Sequence, residues 1–289
     1  MKQLTIISGK GGTGKTTIAS NFIRLASDHV AVDCDVDAAN LHILLDPKIL
    51  KEEEFVGGAT ATLTGECINC GECAPLCRFE AITDSDEGII IDPLRCEGCG
   101  VCIYACGQEA LKLKSTVQGK GYISETSFCP LVHARLIPGA ENSGLLITRI
   151  RNTAEDLSIE KGSRLIIIDG APGIGCPVIS SITGVDAVLI VTEPSLSAIS
   201  DFKKVYKVAK NFGVKAFACI NKFDLNLDNT KNIEAYSKKE DIEIIGKIPY
   251  DEQVSFSLSQ KRFIVDDRSS KAAAQIKNMW KQLKRYLYS

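Results

Sequence analysis

Residues 3–27, QLTIISGKGGTGKTTIASNFIRLAS, contain the pattern that decides the fold of this chain. The apolar run Gln3–Ser8 predicts a strand, Lys15–Ser27 predicts a helix, and Val30–Asp33 predicts the next strand. A glycine-rich loop separates the first strand from the helix. A strand, a helix and a second strand in this order are typical of a parallel sheet.

The same alternation returns in the second half of the chain. It predicts the strands Arg164–Asp169, Ala187–Thr192 and Ala216–Asn221, with the helix Ser197–Phe212 between the last two. Between the two ends, Glu54–Ser115 has closely spaced cysteines and glycine-rich margins instead. We therefore predict an α/β fold, with a doubly wound and mostly parallel sheet formed by residues 1–56 and 116–289. A small α+β domain is inserted at residues 57–115.

Composition and charge limit the class of protein and its partners. Hydrophobic residues make up 45% of the 289 residues and charged residues 24%, which is typical of a globular protein. A net charge of −2 gives no general attraction to nucleic acid or anionic lipid, so we expect no nucleic acid partner. No apolar run is long enough to span a membrane, and we expect a cytoplasmic protein. The amphipathic segment Ala272–Leu287 could bind a membrane surface, but its place at the end of the domain favours a core helix.

Eight of the twelve cysteines occur in two copies of the spacing C-x2-C-x2-C-x3-C. The second copy repeats the first at a constant offset of 29 residues, and Glu80-Ala81 recurs as Glu109-Ala110. This repeat indicates an inserted domain with pseudo-twofold symmetry. In such a spacing three cysteines hold one 4Fe-4S cluster, while the fourth ligates the other cluster. The predicted ligands are Cys67, Cys70, Cys73 and Cys106 for cluster 1, and Cys77, Cys96, Cys99 and Cys102 for cluster 2.

The cysteine pattern resembles that of bacterial two-cluster ferredoxins, although Arg78 and Gly107 replace the proline that is usual after the fourth cysteine. Two zinc sites are the alternative, because C-x2-C pairs also suit tetrahedral zinc. Zinc does not, however, require a third and a fourth cysteine at these spacings in duplicate. We expect two clusters that transfer electrons, with a purely structural role as the alternative.

Gly9–Thr16, GKGGTGKT, fits the phosphate-binding pattern G-x-x-x-x-G-K-[ST] between a strand and a helix. Backbone N–H groups in such a loop cradle the phosphates of a nucleotide. Lys15 is then expected to contact the β- and γ-phosphates, and Thr16 to contact Mg²⁺. The predicted nucleotide-binding residues of this loop are Gly11, Gly12, Thr13, Gly14, Lys15, Thr16 and Thr17.

The additional lysine in KGGTGKTT, Lys10, resembles that of the deviant phosphate loop in the superfamily of MinD, ParA and the nitrogenase iron protein. The resemblance implies an ATP-dependent homodimer in which Lys10 of each subunit crosses the interface to the phosphates of the other. It also implies that Asp35, in the segment Asp33–Asn40, orients the attacking water. Asp37 is the second choice for this role, and a helix N-cap is its structural alternative.

Further roles follow from the same resemblance. Asp169, at the end of an apolar strand and before GAPG, is expected to hold Mg²⁺ through water. Asn221, in the segment NKFD, is expected to read the base, with Pro249 and Asp251 completing the base pocket. NKFD also resembles the base-recognition motif of GTPases, so GTP is the alternative to the favoured ATP. Cys176 follows GAPG at the offset where the nitrogenase iron protein ligates an intersubunit cluster, and it is a candidate ligand of a third, bridging cluster.

These motifs leave three hypotheses for function. The first is a nucleotide-gated iron-sulfur protein, an ATPase whose dimer switching is coupled to electron transfer to a protein partner. The second is an iron-sulfur or metallocluster assembly carrier, which passes a cluster to a client protein. The third is spatial organisation, as in MinD and ParA, with the insert as a redox sensor or docking module. The motifs do not identify the electron donor, the acceptor or the client.

Overall fold

A computed structural model describes residues 1–37, 39–85, 88–138, 140 and 143–288. The strands are β1 (Lys2–Ser8), β2 (His29–Asp33), β3 (Lys48–Leu63), β4 (Ile82–Ser85), β5 (Gly88–Ile91), β6 (Leu111–Glu125), β7 (Pro130–Leu136), β8 (Leu165–Pro172), β9 (Ala187–Thr192), β10 (Lys215–Asn221) and β11 (Glu243–Ile248). The helices are α1 (Lys15–Leu25), α2 (Leu41–Leu45), α3 (Cys73–Leu76), α4 (Val101–Ala105), α5 (Ser143–Lys161), α6 (Cys176–Ile182), α7 (Leu196–Asn211), α8 (Leu227–Lys239), α9 (Glu252–Ser259) and α10 (Lys271–Leu287).

The chain forms two compact units. The first consists of Met1–Glu53, Gly121–Arg135 and Ser143–Ser289, and the second consists of Glu54–Lys120 and Leu136–Asn142. The chain therefore leaves the first unit and later returns to it. Leu136–Asn142 is separate in sequence from the cysteine-rich segment, and no sequence pattern indicated that it belongs to the second unit.

The first unit is built on a mostly parallel sheet. The strand order is β11-β10-β9-β1-β8-β2-β7-β6-β3, and the last two strands of this order run on into the second unit. The pairs β1–β8, β1–β9, β9–β10, β10–β11, β2–β8 and β2–β7 are all parallel. The sequence pattern did not indicate β3, because the first half of this edge strand is charged and exposed.

Helices cover both faces of the sheet. In β1, Leu4 and Ile6 belong to a buried cluster that also contains residues of α1 and α10. Thr5, between them, donates from Oγ1 to the carbonyl oxygen of Ser181 in α6 at 2.9 Å. Because successive side chains of a strand point to opposite faces, α6 lies on the face opposite α1 and α10. The predicted doubly wound α/β fold is therefore confirmed.

The amphipathic segment near the end of the chain forms α10, and its apolar face packs in the core of the first unit. Ile276, Met279 and Leu283 are buried. The ring centroid of Trp280 lies 5.2 Å from that of Phe22 in α1. The interpretation of this segment as a core helix therefore accounts for the apolar face of α10. No helix in the described part of the chain is long and apolar enough to cross a membrane.

The second unit contains α3, α4 and the antiparallel pair β4–β5. Its sequence repeat is also a repeat of backbone conformation. Positive φ angles occur at equivalent positions of the two copies, namely Asn69 and Gly98, Gly71 and Gly100, and Glu80 and Glu109. The fourth cysteine of each copy has nearly the same backbone angles, φ −79° and ψ 95° at Cys77 and φ −81° and ψ 97° at Cys106. The two halves therefore fold alike, as pseudo-twofold symmetry requires.

Candidate functional sites

The glycine-rich loop after β1 leads directly into α1. Gly12 has a φ of 79° and Gly14 a φ of 93°, so both adopt the left-handed conformation that favours glycine. A Cβ atom at Gly14 would lie 2.4 Å from Nδ2 of Asn221. Asn221, at the end of β10, donates from Nδ2 to the carbonyl oxygen of Thr13 at 2.8 Å. The residue predicted to read the base therefore also holds the backbone of the phosphate loop.

Lys15, the first residue of α1, is only 6% exposed and lies between two carboxylates. Its Nζ atom is 2.8 Å from Oδ1 of Asp169 and 3.5 Å from Oδ2 of Asp35. Burial lowers the pKa of Lys15, but the negative charges of Asp169 and Asp35 outweigh burial and raise it above its ordinary value. Lys15 is therefore a cation at neutral pH. Asp37 is exposed, which favours Asp35 of the two carboxylates predicted to orient water.

Asp33, the last residue of β2, is a further acid of this site, and the sequence analysis gave it no role. It is completely buried and pairs in register with Asp169 of the neighbouring strand β8. Its carboxylate accepts hydrogen bonds from the backbone N–H groups of Asp35 and Leu41, both at 3.1 Å. Burial and the negative charge of Asp169 raise the pKa of Asp33. Asp33 therefore fixes the segment that presents Asp35. The sequence signal that could have identified Asp33 is an acid ending an apolar strand, which it shares with Asp169.

Oxygen atoms at two positions fit the predicted Mg²⁺ site. Oδ1 of Asp169 bonds Lys15, whereas its Oδ2 is buried and has no hydrogen-bond partner among the described atoms. A buried carboxylate oxygen without a partner is costly unless a ligand satisfies it. Oγ1 of Thr16 lies 3.4 Å from Nζ of Lys15, so this second predicted ligand is beside the same group. Asp169 and Thr16 are therefore the residues that would hold Mg²⁺, whose charge would neutralise phosphate oxygens.

Lys10, the lysine predicted to reach a partner subunit, contacts its own chain in this structure. Its Nζ atom lies 2.8 Å from Oε1 of Glu193 and donates to Oγ of Ser195 at 3.2 Å and of Ser197 at 3.3 Å. Oε2 of Glu193 also lies 3.4 Å from Nζ of Lys222. The sequence analysis missed Glu193, because it follows β9 outside any motif.

Asp251, which is predicted to help complete the base pocket, forms hydrogen bonds with two helices of its own chain. Its carboxylate accepts a backbone N–H bond of α9 at 3.0 Å, the hydroxyl of Ser270 at 2.6 Å and the N–H of Ala272 at 3.2 Å. These bonds make Asp251 a cap for α9 and tie it to the start of α10. Pro249, the other predicted member of the base pocket, lines an open cavity of about 850 Å³ together with Phe223.

The second unit brings together cysteines from both copies of the repeat. Four of them line one cavity: Cys67, Cys70, Cys73 and Cys106. Burial raises the pKa of the Cys73 thiol, and the neighbouring thiols of Cys67, Cys70 and Cys106 raise it further. These are the four residues predicted for cluster 1, three from the first copy and one from the second. The donor set fits a 4Fe-4S cluster, which would supply one-electron transfer.

Three of the cysteines predicted for cluster 2, Cys96, Cys99 and Cys102, are neighbours in the second unit. Burial and the nearby thiol of Cys96 raise the pKa of Cys102, and Cys99 contributes in the same direction. Cys77 packs against the same apolar cluster of side chains as Cys96. Cys102 is buried, whereas Cys99 is exposed, as is Cys70 of the other set. Each predicted cluster therefore has one ligand at the surface.

Backbone hydrogen bonds reach three of the predicted cluster ligands. Backbone N–H groups lie 3.3–3.4 Å from three cysteine sulfurs, with Ala61 donating to Cys96, Ala81 to Cys77 and Ala110 to Cys106. Such bonds stabilise sulfur ligands and tune cluster potentials. In the described part of the chain, no three His, Cys, Asp or Glu side chains are close enough to bind a single metal ion.

Four cysteines lie outside the repeat. Cys34, Cys129 and Cys219 are buried, and burial raises the pKa of each thiol. Cys176, at the start of α6, is exposed. It is the one exposed cysteine within the described residues of the first unit. A bridging cluster at Cys176 would therefore lack a second exposed cysteine from that unit.

Comparisons with known proteins identify the family. The CobQ/CobB/MinD/ParA nucleotide binding domain matches residues 4–264. The chain is 34% identical over 291 residues to an uncharacterized protein of Methanocaldococcus jannaschii, covering 99% of this chain and 97% of that protein. A stretch of 37 residues is 51% identical to a ferredoxin of Sorangium cellulosum, covering 13% of this chain and 37% of the ferredoxin. The septum site-determining protein MinD of Pyrococcus horikoshii, solved with Mg-ADP, has a similar fold, with a TM-score of 0.61 at 18% identity and coverage of 99% and 96%. This chain belongs to the CobQ/CobB/MinD/ParA nucleotide-binding family.

Proposed function

We propose that this chain is an ATP-binding and ATP-hydrolysing iron-sulfur protein that works as a homodimer. In this proposal, nucleotide-dependent dimer switching is coupled to electron transfer through two 4Fe-4S clusters. The observation that carries it is the convergence of Cys67, Cys70, Cys73 and Cys106 on one cavity of a chain that belongs to a nucleotide-binding family. The likeness of a short stretch to a ferredoxin supports the same assignment.

ATP is the proposed nucleotide. Two relatives from Methanocaldococcus jannaschii that are 26% and 24% identical over 287 and 255 residues carry the name ATP-binding protein. In the proposed site the loop backbone and Lys15 bind the phosphates, and Thr16 and Asp169 hold Mg²⁺. Asn221 holds the loop through the carbonyl oxygen of Thr13, and it is the proposed residue that reads the base.

Asp35 is the proposed residue that orients the attacking water. In the structure it lies 3.5 Å from Nζ of Lys15. A triphosphate that draws Lys15 toward its own oxygens would release the Asp35 carboxylate, which then accepts a hydrogen bond from water. Asp33 keeps Asp35 in place during this exchange, because it bonds the N–H of Asp35.

Backbone contacts link the two acidic segments of the site. The N–H of Cys34 donates to the carbonyl oxygen of Asp169 at 2.8 Å. Asp33 also bonds the N–H of Leu41, the first residue of α2. Along the chain α2 is followed by β3, which leads to the first cysteine copy. In this proposal, the contacts transmit a rearrangement at the phosphates to α2, and the segment from α2 through β3 carries it toward the first cysteine copy.

The test is a redox titration of the anaerobically purified protein with and without Mg-ATP. We expect ATP to shift the cluster potentials and to change the rate at which the reduced clusters pass electrons to methyl viologen. Lys15→Ala, the matched control, should abolish ATP hydrolysis and both effects. Identical potentials and identical rates with and without ATP, in a protein that hydrolyses ATP, would contradict the coupling.

Cluster transfer to a client protein is the second candidate function. The observation that favours it is the exposure of Cys70 and Cys99, one ligand of each predicted cluster. An exposed thiolate is open to attack by an incoming ligand, which makes a cluster labile. Incubation with an apo-ferredoxin and an iron chelator distinguishes the two functions. A carrier transfers its iron to the apo-protein faster than the chelator removes it, whereas an electron carrier retains its iron.

A further inference from the structure

Glu193, which follows β9, holds the lysine that the proposed dimer needs at its interface. We propose that Glu193 is a positioning residue that keeps Lys10 on its own subunit until ATP and a second subunit replace this contact. The inference rests on the proposed ATP-dependent homodimer. It adds the residue that sets the ATP concentration needed for dimer formation.

The hydrogen bonds of Lys10 are complete within one chain. A lysine ammonium has three N–H donors. The three acceptors around it are Oε1 of Glu193 at 2.8 Å, Oγ of Ser195 at 3.2 Å and Oγ of Ser197 at 3.3 Å. The side chains of Lys10 and Glu193 are 31% and 19% exposed, so water only partly screens the ion pair. Lys10 must give up all three bonds before it can reach another subunit.

The position of Lys10 next to a helix N-terminus means that the charge of Glu193 is needed to hold the ammonium group there. Ser195 is the N-cap of α7, since its Oγ accepts a hydrogen bond from the N–H of Ala198 at 3.3 Å. The N-terminal end of a helix carries a partial positive charge, which repels an ammonium group. The two serine hydroxyls are neutral acceptors, so Glu193 is the group around Lys10 that offsets this repulsion.

Glu193 is also held in its charged form. Burial raises the pKa of its carboxyl group, but the hydrogen bond and charge of Lys10 and the charge of Lys222 outweigh burial and lower it. Lys222 lies 3.4 Å from Oε2 and has a φ of 52°, so it is part of a tight turn after β10. When Lys10 leaves, Lys222 remains as a counter-ion, and Glu193 is not left unpaired. The exchange is therefore reversible at modest cost.

Glu193→Gln is the test, because it keeps the shape of the side chain and removes its charge. Dimer formation is followed by analytical ultracentrifugation of the cluster-loaded protein at increasing Mg-ATP concentration, and ATP hydrolysis is measured alongside. We expect the half-maximal ATP concentration for dimer formation to fall about twofold to fivefold, the effect of losing one partly exposed ion pair. The kcat should stay within about twofold, because Glu193 does not touch the phosphates.

Three controls assign the effect to the charge that Glu193 presents to Lys10. In a Lys10→Ala background, Glu193→Gln should produce no further shift, because the lysine that Glu193 holds is absent and Glu193 pairs only with Lys222, which does not cross to the other subunit in this proposal. Glu240→Gln removes a carboxylate of similar exposure, 24%, from its pair with Lys210 on the surface, and it should behave like the wild type. Glu193→Asp keeps the charge and should give a shift smaller than that of Glu193→Gln, which separates charge from damage to the fold.

The possible results separate this inference from the proposed function. The role of Glu193 is overturned if the wild type dimerises with ATP and the Glu193→Gln variant needs the same or a higher ATP concentration. The proposed homodimer would stand in that case. A shift that persists in the Lys10→Ala background also overturns the role of Glu193. A wild type that hydrolyses ATP as a monomer overturns both the homodimer and this inference.

Discussion

The crossing of ligands between the two repeat copies predicts how paired Cys→Ser substitutions reduce the iron content. Cys106 lines the same cavity as Cys67, Cys70 and Cys73, although it belongs to the other copy. Replacing Cys67 and Cys106 together therefore removes two ligands from one site and none from the other. About four of about eight iron atoms per chain should remain, in an intact 4Fe-4S cluster. Replacing Cys67 and Cys77 together removes one ligand from each site, so neither site keeps four thiolates.

Iron and acid-labile sulfide are measured on anaerobically purified protein, and EPR spectra are recorded after reduction with dithionite. The Cys67→Ser/Cys106→Ser variant should show one unperturbed cluster signal, which the Cys67→Ser/Cys77→Ser variant should lack. Cys176→Ser is the control, and it should retain about eight iron atoms because Cys176 lies outside the repeat. The reasoning is refuted if the Cys67→Ser/Cys77→Ser pair retains the intact cluster instead, since each copy would then hold its own cluster.

Three further predictions concern the first unit. Gly14→Ala should cost about 1–2 kcal/mol of folding stability and weaken ATP binding, because alanine is strained at a φ of 93°. Thermal melting measures the stability, and titration with ATP measures the binding. Unchanged values of both would contradict the left-handed conformation of Gly14. Trp280→Ala should lower the free energy of unfolding by about 3–5 kcal/mol, since the ring of Trp280 packs on Phe22. Urea unfolding measures this loss, and a loss below about 1 kcal/mol would mean that α10 is not a core helix. Asp33→Asn should make stability less dependent on pH. Burial and Asp169 raise the pKa of Asp33 to about 7, so the protonated form favours the folded state, and its contribution is lost as the pH rises from about 4 through about 7. The melting temperature of the wild type relative to Asp33→Asn should therefore fall between about pH 4 and pH 7; a constant or rising difference would contradict this.

The strands of the first unit were predictable because they are buried on both faces. Strands of this kind are continuous apolar runs, and Ala187–Thr192 has the predicted bounds in the structure. The predicted first helix, Lys15–Ser27, ends at Leu25, where Ala26 takes an extended conformation. The edge strand Lys48–Leu63 was not predictable, because its exposed charged half lacks the apolar pattern. Local sequence therefore identifies the centre of the sheet better than its edge.

The residues of the candidate sites also differ in how far the sequence predicted them. Spacing along the chain was enough to select the four cysteines of the shared cavity, because cluster ligation constrains neighbouring residues and the repeat supplies the fourth. Asp33 and Glu193 were missed because their roles depend on contacts between distant elements. Asp33 lies beside Asp169 of the neighbouring strand β8. Glu193 follows β9, which pairs with β1, the strand before Lys10.

Both lysines predicted to meet the phosphates are neutralised by carboxylates in the structure. Lys15 lies between Asp169 and Asp35, and Lys10 bonds Glu193. A buried carboxylate that loses its cation costs several kcal/mol, so Asp169, which is 1% exposed, needs a new partner when the phosphates draw Lys15 away. Asp169 has an unpaired oxygen placed for Mg²⁺, and Asp35 can accept a hydrogen bond from water. Binding of the phosphates, loading of Mg²⁺ and orientation of the water should therefore occur as one exchange of partners. A variant that blocks one of these steps should weaken the other two, whereas independent steps would give additive losses in ATP affinity and hydrolysis.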